Sequence, residues 1–229
     1  MILPRRALLR TILFTLCAGA GLVHAAPEAS AAPPDGRQLT AFFRAVQLDD
    51  DKTVKAMIGT VVNANQRNPL GGEPGLVLAV REDAMRVLRV FLDHPGTNLE
   101  TAAVNGNSAL MMAAYKGKRA AIDALLARGA RVNQPGWTAL HYAAAAGDNE
   151  IDALLLKHGA KVDAVSPLKS GAYTPLMMAA REGKDDTGIL LMKHGANARL
   201  TNSEGLTPEQ LAERAGKPRV ARAIREASR

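Results

Sequence analysis

The chain holds a single cysteine, Cys17, so no disulfide can close within it. Aromatic residues make up only 3%. A ring-based core is thereby excluded, and Ala, Leu, Val, Ile and Met must fill the interior, a palette of small side chains that favours helices. No run of five or more Lys or Arg occurs, so the net charge of +7 belongs to a diffuse surface and not to a nucleic-acid-binding arm. Long hydrophobic stretches are missing too. The apolar run from Thr11 to Val23 covers 13 residues, about 20 Å as a helix, against about 30 Å for a bilayer core. What remains is ordinary for a folded protein: 229 residues, 47% hydrophobic and 22% charged. That is enough for one large domain or two small ones.

The short apolar run follows Arg5, Arg6 and Arg10 and ends in small residues, with Val23 and Ala25 at the positions a signal peptidase reads. A charged start, a short apolar middle and a small-residue end describe a secretory signal peptide over residues 1–25. Membrane attachment would require that signal to stay uncleaved. Cys17 follows Leu16 and apolar sequence continues past it, which excludes a lipoprotein anchor. Cleavage near Ala25 leaves a mature chain with no cysteine and a charge of +4, suited to an oxidising space. Ala- and Arg-rich usage resembles that of bacterial proteins. The expected location is therefore the periplasm, or outside the cell. Residues 26–36, which include PEASAAPPDG, read as a linker, and residues 37–229 as the domain.

That domain repeats itself. Ser108–Gly117 (SALMMAAYKG), Thr138–Gly147 (TALHYAAAAG) and Thr174–Gly183 (TPLMMAAREG) align without gaps. Each leads into a second apolar helix and a Gly-Ala pair: Gly129-Ala130, Gly159-Ala160 and Gly195-Ala196. Paired alanines recur in the first helix, where they let neighbours approach closely. Leu125-Leu126, Leu154-Leu155 and Leu190-Leu191 recur in the second and give it an apolar face. Pro175 and Pro208 fall at a first helical turn, where no amide bond is lost. One such unit cannot bury its apolar face alone, whereas stacked neighbours bury it continuously.

These segments resemble ankyrin repeats, whose pattern is T-P-L-H-x-A-A-x-x-G followed by L-L-x-x-G-A and an Asn or Asp. Looser copies flank them. Phe42–Asp50 with Thr53–Ile58 forms a degenerate first repeat, and Leu76–Asp83 with Met85–Leu92 a second. Thr207-Pro208 and the helix Arg219–Glu226 form a capping repeat. The resemblance implies an all-α solenoid of about five helix–turn–helix repeats with β-turn fingers, closed by a C-terminal cap. The spacing is uneven. Leu110 to Leu140 is 30 residues and Leu140 to Leu176 is 36, which places a deletion near 134–136 and an insertion in 164–172.

Few residues offer chemistry. His141 occupies the histidine position of the pattern, where the resemblance implies a local hydrogen bond that holds the turn. His94, His158 and His194 end second helices, where the dipole favours cations. Successive helices stand about 10 Å apart, too far to share one metal ion, so neither metal nor cofactor is expected. Ser166-Pro-Leu-Lys169 matches the S-x-x-K nucleophile motif, but it lies in the inserted finger and lacks the companion K-T-G. Hydrolysis by this finger is the alternative to a non-enzymatic chain. An effector passed on into a host cell is a further one.

The resemblance also implies where a partner protein would bind: the finger tips and the exposed side of the first helices. Carried over residue by residue, these positions are Asn107, Trp137, Tyr173 and Leu206 in the fingers. In the helices they are Tyr115, Lys116, Ala145, Ala146, Arg181 and Glu182, with Tyr142 beside them. The one tryptophan and all three tyrosines thus fall on or beside contact positions. Aromatic and Arg side chains are the usual anchors of protein interfaces. The expected function is a non-catalytic scaffold that protects, inhibits or positions a protein partner, with no nucleic acid involved.

Overall fold

The structure, a computed structural model, describes residues 33–228. The expected signal peptide, Cys17, His24 and most of the expected linker lie outside the described residues. The helices come in pairs: Gly36–Gln47 (α1) with Asp51–Met57 (α2), Gly75–Arg81 (α3) with Met85–Asp93 (α4), Ala109–Tyr115 (α5) with Arg119–Ala127 (α6). Ala139–Ala146 (α7) with Asn149–Lys157 (α8), Pro175–Glu182 (α9) with Asp185–Lys193 (α10), and Pro208–Arg214 (α11) with Pro218–Ala227 (α12) complete the stack. The first repeat, degenerate in sequence, is fully formed. Its α1 begins at Gly36 behind the N-cap Asp35, and Phe42 meets Phe91 of the next repeat edge-on at 6.2 Å.

Odd-numbered helices pack in one row and even-numbered helices in a second. The odd row is tight because the pairs Ala113-Ala114, Ala143-Ala144 and Ala179-Ala180 are all buried. Leu110, Leu140 and Leu176 lie under them, and Leu125, Leu155 and Leu191 come from the even row. Each fully buried leucine contributes about 1.5–3 kcal/mol. The paired leucines expected in the second helices do not act alike, for Leu126, Leu154 and Leu190 are only half-buried. The even row is looser at one place. Where the repeat spacing shortens to 30, α6 and α8 approach less than any other consecutive pair of second helices.

Local chemistry fixes the register of the stack. Ser108 and Thr174 cap α5 and α9, and their own amides are met by the Sδ of Met111 and Met177 at 3.4 Å. Between repeats, an Asn or Asp at the base of a finger grips the next connection. Asn65 bonds the Gly96 carbonyl and the Asn98 amide, Asn133 bonds the Gly159 carbonyl and the Lys161 amide, and Asp163 accepts from the Asn197 amide. Asp49, at a φ of 54°, stands at the corner that glycine occupies from the third repeat on. It accepts the amides of Arg86 and Val87 and so caps α4 from the preceding repeat.

Gly188 lies in the interior of α10 with ordinary helical backbone. A Cβ there would sit 3.9 Å from Ile224 and from Leu176, in ordinary contact. Gly188→Ala is therefore expected to raise stability by about 1 kcal/mol through helix propensity and unfolded-chain entropy, read as a higher urea midpoint at unchanged slope.

Candidate protein-binding face

The fingers and first helices of three successive repeats bring the expected residues together. The rings of Trp137 and Tyr173, on neighbouring fingers, stack with centroids 6.5 Å apart and planes inclined by 19°. Tyr142 on α7 leans against Trp137 at 6.1 Å, and Tyr115 on α5 meets Tyr142 edge-on at 6.2 Å. At the other end the Arg181 guanidinium lies 5.1 Å over the Tyr173 ring. The order Tyr115, Tyr142, Trp137, Tyr173, Arg181 makes a continuous ladder across the stack. Offset aromatic pairs of this kind contribute about 0.5–1.5 kcal/mol each beyond burial.

The ladder is held from behind. Asn107 accepts the Tyr142 hydroxyl at 2.5 Å, and burial pushes that phenol above its ordinary pKa. Trp137 and Tyr173 are half-buried because each covers the other, while Tyr115 is 55% exposed. The remaining contact residues differ in role. Glu182 accepts from Arg181 Nε at 3.0 Å, Lys116 is exposed without a ring contact, and Leu206 is half-buried. Ala145 and Ala146 are half-buried where Tyr115 and Lys116 of the preceding repeat project. A hollow of 530 Å³ forms there, lined by Tyr115, Lys116, Ala146, Asp148 and Glu150.

His141 ties this face together. Its Nδ1 accepts the Thr138 amide at 3.1 Å. The ring proton is thereby assigned to Nε2, which donates to the Tyr173 carbonyl of the next repeat at 2.9 Å. Burial holds its pKa down at about 4, so the ring is neutral at physiological pH. The turn-holding role implied by the resemblance is present, and a bond between repeats is added to it.

A second part of the face escaped the sequence reading. Leu70 and Val104, exposed by 91% and 76%, stand at the tips of the first two fingers. They rim a groove of 620 Å³ with Arg81 and Glu73 in its wall. Burial raises the Glu73 carboxyl pKa although Arg81 Nη1 stands 2.8 Å away. The available signal was a leucine placed before Gly71-Gly72, within a turn.

The other chemical candidates take structural places. Ser166 is buried and its Oγ accepts the Tyr173 amide at 2.8 Å, which closes the inserted finger; Lys169 is exposed on a short 3-10 turn over Leu168–Ser170. His94, His158 and His194 are the C-caps of α4, α8 and α10. Among the described residues no three His, Cys, Asp or Glu side chains converge on a point that could hold a metal ion.

Stacked helical hairpins, with fingers and first helices side by side along one face, define a repeat scaffold. The chain belongs to the ankyrin-repeat family: a model described as "Ankyrin repeats (3 copies)" matches residues 42–135 and 76–166, and one described as "Ankyrin repeat" matches 173–203. It is similar to neurogenic locus notch homolog protein 1 of Mus musculus, 30% identical over 127 residues, and of Homo sapiens, 29% identical. That stretch is 54% of this chain and 5% of those far longer relatives. An ankyrin repeat domain from Acinetobacter baumannii superposes with a TM-score of 0.67 at 25% identity, covering 82% of this chain and 97% of that one. Ankyrin repeats serve as protein–protein interaction scaffolds, typically without catalysis of their own.

Proposed function

We propose that this chain is a non-catalytic periplasmic scaffold that holds one protein partner against the ladder from Tyr115 to Arg181. The observation that carries the reading is the concentration of the only tryptophan and all three tyrosines in one contiguous strip. Trp, Tyr and Arg dominate the energetics of protein interfaces out of proportion to their area, and here they stand next to a hollow that can receive a projecting side chain. Export rests on the charged and apolar pattern of residues 1–25. Engagement of the Ser166 Oγ by the Tyr173 amide speaks for a finger brace and against a nucleophile.

The test is capture from periplasmic extract with residues 26–229, alongside a Trp137→Ala/Tyr173→Ala variant. A specific partner is expected to bind the parent and to bind the variant at least about 30-fold more weakly, the equivalent of about 2 kcal/mol. Equal binding by both would remove the ladder from the interface. Cell fractionation checks the compartment, and recovery in the cytoplasm would overturn export.

A further inference from the structure

Asp152 occupies a place where its neighbours carry no charge. In α8 it stands where Leu88 stands in α4, Ile122 in α6, Gly188 in α10 and Ala221 in α12, all buried. Its own exposure is 0%, and neither carboxyl oxygen has a hydrogen-bond partner. The helices packed on α8 bury only Ala139, Leu140, Ala143 and Ala144 from α7, and Thr187, Gly188 and Leu191 from α10, besides His141. The Thr187 hydroxyl is already given to Asn149 Oδ1 at 2.6 Å.

No charge on these elements compensates it. His141 of α7 is turned to Thr138 and Tyr173. On α10, Asp185 pairs with Arg219, Asp186 is exposed, and Lys193 sits at the far end. Arg119 and Asp123 of α6 pair with each other, and Glu150 of α8 is exposed. Asp148, the N-cap of α8, is the one charge that acts on Asp152, and it repels. An ionised carboxylate cannot stay in such a site at ordinary cost. It must keep its proton or reach water.

The same seam carries the binding ladder. Between the fourth and fifth repeats lie the Trp137–Tyr173 stack, the His141–Tyr173 bond and the Thr187–Asn149 bond. On its other side α8 has only a loose neighbour in α6. We propose that Asp152 is a proton-operated latch on this seam. While the carboxylic acid keeps its proton, α8 stays docked on α7 and α10. When it releases the proton to solvent, α8 shifts to bring the carboxylate to water, and the Trp137–Tyr173 stack loosens with it. Burial pushes the Asp152 carboxyl up to about 8, so the latch works between neutral and mildly alkaline conditions. The inference does not rest on the binding reading, because the stack can be observed without a partner.

The test uses the full chain with Trp137, its only tryptophan, as reporter. Emission and acrylamide quenching are followed from about pH 6 to about pH 9. The parent is expected to show a transition centred near pH 8. Asp152→Asn, which mimics the protonated state, is expected to show none, and Asp123→Asn, at an exposed aspartate, is expected to titrate like the parent. Hydrogen exchange in residues 149–157 and 185–193, corrected for intrinsic rates, should reveal opening that grows up to about tenfold per pH unit below the midpoint in the parent and stays level in Asp152→Asn. A parent without the transition, or an Asp152→Asn variant that keeps it, overturns the latch.

Discussion

Asp152→Val is expected to raise stability at pH 8 by roughly 3 kcal/mol or more, and the melting temperature by roughly 10 °C, because it replaces a buried, unpaired carboxyl with a side chain the site can pack. The sign follows from the two states. Unfolded, the carboxyl titrates near about 3.9; folded, near about 8. Between those values the unfolded chain has lost a proton that the folded chain retains, so stability falls as pH rises across the window and is level outside it. His141 acts in the opposite sense. Its folded value of about 4 lies below the ordinary 6.5, so its contribution grows as pH rises from 4 to 6.5 and is complete above that. The two slopes cancel up to about pH 6.5, and from there to about pH 8 Asp152 acts alone. The parent is therefore expected to lose about 2 kcal/mol over that interval, and Asp152→Val to lose almost none. Urea titrations at pH 6.5 and 8 measure both. A valine variant less stable than the parent at pH 8 would mean that the carboxyl is solvated after all.

Why the sequence did not reveal this residue is instructive. The third and fourth repeats share the string IDALL, at residues 122–126 and 151–155. Matching the strings places Asp152 on Asp123, an exposed position, and pairs Leu154-Leu155 with Leu125-Leu126. The structure matches the helices instead: α6 begins at Arg119 and α8 at Asn149, so Asp152 falls on Ile122 and Leu155 on Leu125. A shift of one residue turns a helix by about 100°, which carries an aspartate from solvent into the core. String identity is blind to that rotation, whereas burial reports it directly.

Other features were legible because they depend on periods and not on a single register. The Ala-Ala pairs, the Gly-Ala turns and the Thr-Pro starts recur at repeat length, and they placed the stack correctly even where spacing drifted from 30 to 36 residues. The ladder was legible in its membership, since contact positions are defined by offset from the Thr and the Ala-Ala pair. Its geometry was not. Whether Trp137 and Tyr173 stack on each other depends on finger length, which the Ser166–Tyr173 brace sets in the insertion. The Leu70 and Val104 rim was illegible for a simpler reason. An isolated aliphatic residue in a turn gives no periodic signal, and its exposure becomes visible only when two fingers stand side by side.

His141 gives a second large effect that can be divided into parts. His141→Ala is expected to cost roughly 3–4 kcal/mol: it opens a cavity in a fully buried site and leaves the Thr138 amide and the Tyr173 carbonyl unpaired. His141→Met separates the two. Met111 and Met177 occupy the same position in the adjacent repeats and present sulfur to the cap amide at 3.4 Å, so the backbone already accommodates methionine there. That variant keeps an acceptor for Thr138 and most of the packing, and loses the bond to Tyr173. Its expected cost is about 1–2 kcal/mol, about half that of alanine or less, and with the imidazole's rising slope gone the falling slope of Asp152 should be uncovered between about pH 4 and 6.5. Denaturant titrations of the parent and both variants supply the comparison. Equal losses for methionine and alanine would show that the inter-repeat bond to Tyr173 carries the whole effect. A methionine variant as stable as the parent would show that this bond carries none of it, leaving the coupling of the fourth and fifth repeats to packing alone.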